Sequence, residues 1–127
     1  MSTLKADTIQ NTSGGAATLT KQEAAKTLVH FDISSGTPTV VSSFNVASLA
    51  DDGTGITQCN FTSNMSNDNY YYSGSISGNV ATATIYTADP DTLTTSSVDI
   101  RSKYATASAV GLSDYNGQVG VIHGDLA

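Results

Sequence analysis

Hydrolysis of a glycosidic bond needs two carboxyl groups about 5 to 9.5 Å apart across a cleft. The carboxylates that could supply such a pair are Asp51, Asp52, Asp89 and Asp91. They lie in Asp51-Asp52-Gly53 and Asp89-Pro90-Asp91, where an aspartate side chain commonly folds back onto the backbone and makes a turn. Turn formation is therefore the expected role of all four. His30 and His123 are far apart, and no His/Cys/Asp/Glu spacing resembles a mononuclear metal site within one chain. Cys59 is the one cysteine, cannot close an intrachain disulfide, and reads as a small buried strand residue. No nucleophile elbow, phosphate loop or zinc signature is present. Gly74 and Gly78, in Ser73-Gly74-Ser75-Ile76-Ser77-Gly78-Asn79, read as a flexible turn. The expectation is a protein with no cofactor, no metal and no catalytic group, and hence no enzyme.

Recognition chemistry has one candidate. Tyr70-Tyr71-Tyr72 on a strand puts Tyr70 and Tyr72 on one face and Tyr71 on the other. One face then belongs to a core or an interface. Tyrosines exposed among serine and asparagine are suited to stacking on sugar rings, so all three are candidate surface-recognition residues for a glycan.

The elements that would position these residues follow from periodicity. Residues 1–27 read as an arm or stem. Asn11-Thr12-Ser13-Gly14-Gly15-Ala16-Ala17 is too poor in apolar groups to build a core, and the arm would be ordered only by packing on a neighbour. Thr20 is placed to cap a short helix over Lys21–Lys26, with Glu23 in the capping-box position.

From Leu28 the period becomes two, and residues 28–127 read as a β-sandwich head. Val29, Phe31 and Ile33 alternate with Leu28, His30 and Asp32. A strand from about Thr39 to Ala50 turns at Asp51–Gly55 into Ile56–Phe61, with Thr57, Cys59 and Phe61 on the inward face. Further strands are expected at Asn69–Ser75, Val80–Ala88, Ser96–Tyr104 and Gln118–Asp125, with Ala105–Gly117 as a loop. The predicted class is all-β, an antiparallel sandwich of about seven strands with an extended N-terminal arm and a short helix.

Composition limits the partners. Only 13% of the 127 residues are charged, while serine and threonine number 35, so the surface is polar but weakly charged. The net charge of -6 and the lack of a Lys/Arg cluster argue against a nucleic-acid partner. No apolar run approaches a membrane span, and Met1–Lys5 carries no export signal, so membrane insertion is not expected.

The opening Met1-Ser2-Thr3-Leu4-Lys5-Ala6-Asp7-Thr8-Ile9-Gln10, the central Ser43-Phe44-Asn45-Val46-Ala47-Ser48-Leu49-Ala50-Asp51-Asp52-Gly53-Thr54-Gly55, and the ending Val121-Ile122-His123-Gly124-Asp125-Leu126-Ala127 together resemble fibre-type virion structural proteins of marine tailed phages, especially the cyanophage tail-fibre-like family. Asn60-Phe61-Thr62, Asn69-Tyr70 and Leu93-Thr94-Thr95-Ser96-Ser97-Val98 extend the similarity along the chain. The resemblance implies a homotrimeric subunit, assembled in the host cytoplasm into the virion, bound to other virion proteins of tail or capsid and in contact with a host surface glycan, with Leu4, Ile9 and Leu19 as the hydrophobes available for arm docking or trimer packing. Its close alternative is a capsid decoration or head-fibre protein that stabilises the shell. The more distant one is a polysaccharide-degrading enzyme.

Overall fold

Alternating β-branched and hydroxyl residues favour extended backbone when one face of each strand can be buried. The computed structural model describes residues 13, 24–33, 36–76, 83–88 and 90–125. Among these residues there are nine strands: β1 (Ala24–Asp32), β2 (Thr39–Phe44), β3 (Val46–Asp51), β4 (Ile56–Phe61), β5 (Tyr71–Ile76), β6 (Ala83–Ala88), β7 (Ser97–Ala105), β8 (Val110–Leu112) and β9 (Gln118–Gly124). They form two antiparallel sheets, ordered β2-β1-β9-β5 and β3-β4-β7-β6, with β8 paired to β7 in the second. The chain is all-β and sandwich-like, with more strands than expected.

The inward faces follow the expected parity in β1, β4 and β7. Val29, Phe31 and Ile33 from β1 and the residue after it are fully buried, as are Cys59 of β4 and Val98 and Ile100 of β7. Ile122 of β9 completes the first sheet's share, and Phe61, Met65 and Tyr70 close one end of the core. In β9 the buried parity is Gln118, Gly120 and Ile122. Gly120 is required there by close approach: the Tyr72 ring lies across it, and a Cβ would stand 2.6 Å from Tyr72 Cε2.

Four expectations are corrected. The short helix does not extend through Ala24–Lys26, which are strand; Ala24 pairs with Gly124 and Ala25 with His123, so pairing overrides their helix propensity. Residues 21–23 lie outside the described residues, as do Leu4, Ile9 and Leu19. The single strand over Thr39–Ala50 is two strands in different sheets, separated by Asn45 at a φ of 59°. The Asn45 side chain holds this corner. Its Nδ2 donates to Thr27 Oγ1 (3.2 Å) and to the Ser63 carbonyl (3.1 Å), and its Oδ1 accepts from the Ser63 amide (2.7 Å).

Gly74 is a strand residue paired with Gly120 rather than part of a turn. The expected loop over Ala105–Gly117 contains β8, which pairs Val110–Leu112 with Lys103–Ala105. β8 continues the row of β4 along β7. At the junction Ser102 N donates to the Gly55 carbonyl (2.9 Å) and Ser113 N to the Ser102 carbonyl (3.1 Å). Gly55, at a φ of 70°, has no room for a side chain, since a Cβ would meet Ser102 O and Ser113 N at 2.6 Å.

Candidate interaction surface

The three tyrosines divide as strand parity demands, and the division decides their roles. Tyr70 is buried, its ring edge-on to Phe61 with centroids 5.8 Å apart. Its hydroxyl donates to the Thr94 and Ser97 carbonyls at 3.0 and 2.8 Å. Burial pushes its pKa up to about 12, partly offset by the bond to Thr94. Tyr70 therefore ties the β4–β5 loop to the segment before β7, and it is not a surface-recognition residue. Tyr72 is half-buried and packs against the core. Tyr71 alone faces out, at 73% exposure, beside its cross-strand partner His123.

The acidic groups hold loops. Asp51 Oδ1 accepts from Gly53 N (2.9 Å), which is the turn expected of it. Asp114 Oδ1 accepts from Gly55 N and Asp32 Oδ1 from Gly117 N, each at 2.6 Å. Asp91 lies in a single 3-10 turn, Pro90–Thr92, and Asp89 is outside the described residues. Among the described residues no group of three or more His, Cys, Asp or Glu is placed to hold a metal ion, and no helix is long and apolar enough to cross a membrane. Cys59 is buried between sheets and desolvation pushes its thiol up to about 12, so the nucleophilic thiolate is suppressed.

The outer face of the first sheet is where chemistry remains exposed. Register places Phe44 beside Leu28, Leu28 beside Val121, and Val121 beside Ser73. Ser42, His30, Val119 and Ser75 form the row on one side; Ala25, His123 and Tyr71 form the row on the other. Leu28 is 40% exposed and Phe44 60%. At strand spacing of about 4.8 Å, this face spans roughly 14 Å from β2 to β5. It can offer apolar and aromatic contact bordered by hydroxyls and two imidazoles.

At one end of this face stands β2, all six of whose residues are exposed. Val40 is on the inward parity, paired with the fully buried Phe31, yet it is 44% exposed. Val41, at the register shift between His30 and Phe31, is 55% exposed. The strand thus projects past the cover of the second sheet. The periodicity of the sequence did not reveal this surface, because a continuous strand through Asn45 would have kept these residues within the sandwich. The usable signal was the run Thr-Val-Val-Ser-Ser-Phe, which does not alternate and ends at an asparagine able to adopt positive φ.

Comparisons of the chain with protein-family models, with curated proteins and with solved structures find no match.

Proposed function

We propose that this chain is a non-catalytic structural subunit of a tailed-phage particle, a fibre-type homotrimer that attaches to other virion proteins and contacts the host surface. The observation that carries the reading is the apolar face formed by Leu28, Phe44 and Tyr71 together with β2, an edge strand among the described residues whose side chains are all exposed, on a chain otherwise rich in serine and threonine. Exposed large apolar side chains in one contiguous area are what a protein contact uses. The resemblance of the opening, central and closing stretches to phage fibre proteins supplies the particle. A trimer presents its contacts three at a time, so weak individual binding to a repeated surface glycan becomes avid when all sites engage together.

Sedimentation equilibrium of the purified chain tests the assembly: a mass of three chains is expected, and a monomer at all concentrations refutes the homotrimer. Incubation with host envelope polysaccharide tests the rest. Bound polysaccharide of unchanged length is expected, and released fragments would replace a structural role with a catalytic one.

A further inference from the structure

We infer that β2 and the adjoining outer face of the first sheet are the contact between copies of this chain. This rests on the homo-oligomeric reading above and assigns its surface. An edge strand leaves a row of backbone N–H and C=O groups unpaired, and proteins protect such edges with lysine, proline or a cover. Thr39–Phe44 contains no charged residue and no proline. Apart from the bulge at Val41, the protection left to this strand is a cover.

Area points to a protein of the chain's own kind. The exposed parts of Leu28, Val40, Val41, Phe44 and Tyr71 sum to roughly 500 Å², taking full aromatic side chains as about 150–250 Å². A stable interface needs about 800 Å² per partner, and between identical subunits about 65% of that is apolar, which again is roughly 500 Å². The apolar content of the patch is that of one homomeric interface.

The test compares the wild-type chain with the double variant V41K/F44K and the control V110K. Val110 is also exposed, but it lies on β8 in the second sheet. Expected are a wild-type oligomer, an unchanged V110K oligomer, and a V41K/F44K dissociation constant raised roughly 100-fold or more. The double variant should keep the wild-type far-ultraviolet circular dichroism, because both replaced side chains are exposed. Hydrogen exchange of the wild type should show protection of the 39–44 amides rising with protein concentration.

A V41K/F44K oligomer as tight as wild type, with 39–44 exchange independent of concentration, would overturn this surface and leave the oligomer reading intact. Equal dissociation by V110K would overturn it as well. A wild-type monomer with 39–44 already protected would mean that another part of the same chain covers the strand. A monomer with those amides unprotected would remove both the surface and the oligomer.

Discussion

Replacing Asn45 should destabilise the sandwich more than any comparable change at a polar, partly exposed position. Asn45 stands at positive φ and joins the edges of opposite sheets, and its amide makes three hydrogen bonds to residues 18 positions away on either side. Asn45→Ala leaves the fully buried Thr27 without that donor. We take about 1 kcal/mol for this loss and about 0.5 kcal/mol for each of the two more exposed bonds. Holding alanine at positive φ adds about 1 kcal/mol.

The expected loss for Asn45→Ala is therefore about 3 kcal/mol, or roughly 12 °C in Tm for a sandwich of this size. Asn45→Gly loses the bonds but not the backbone compatibility, so about 2 kcal/mol is expected. Urea denaturation followed by tyrosine fluorescence, which no tryptophan obscures, gives both values at fixed protomer concentration. An Asn45→Ala variant within about 0.5 kcal/mol of wild type, or one more stable than Asn45→Gly, would refute the role assigned to this corner.

Alkali should weaken the fold through two buried groups. Cys59 and Tyr70 become charged by losing protons, and burial raises both from 9.0 and 10.0 to about 12, so the unfolded chain ionises first. The stabilisation is complete below about pH 9 and is lost as pH rises toward 12; urea midpoints that stay flat across that window would contradict it. Gly55→Ala should cost about 3 kcal/mol or more, because its Cβ meets backbone on two sides at positive φ. Gly53→Ala, with nothing within 4 Å, should cost only the conformational strain of about 1–2 kcal/mol, and equal losses in thermal melts would be the wrong result. Tyr70→Phe should cost about 1–2 kcal/mol by removing the hydroxyl donor to the Thr94 carbonyl and one of the donors to the Ser97 carbonyl, whereas Tyr71→Ser should be neutral within about 0.5 kcal/mol in the dissociated protein; the reverse order in denaturant titrations would disprove the division of the tyrosines.

How much of this was legible in the sequence depended on whether one face of a strand was buried. β1, β4 and β7 each place apolar residues on one parity, and Val29, Cys59 and Ile100 are buried as that parity requires. The break at Asn45 was not legible, because it is fixed by hydrogen bonds to Thr27 and Ser63, which no local pattern records. β8 is too short to show a period and owes its place to Ser102 and to the Tyr104 ring over Gly111. Ala24–Lys26 read as helix by propensity, and pairing with β9 decided otherwise.

At the candidate surface, alternation separated Tyr71 from Tyr70 and Tyr72 but could not say which side was solvent. Leu28, Phe44 and Val121 were harder still, since a sheet with apolar residues on both faces gives no parity by which to tell core from contact. That ambiguity is itself informative once the fold is known: among the described residues, the second apolar face meets no second core.

Labelling intact phage particles with an antibody to this chain, viewed by electron microscopy, tests the central claim most directly. Label on the tail fibres is the predicted result. Label spread over the head lattice in hundreds of copies would move the chain to the capsid, and particles with no label would contradict the account.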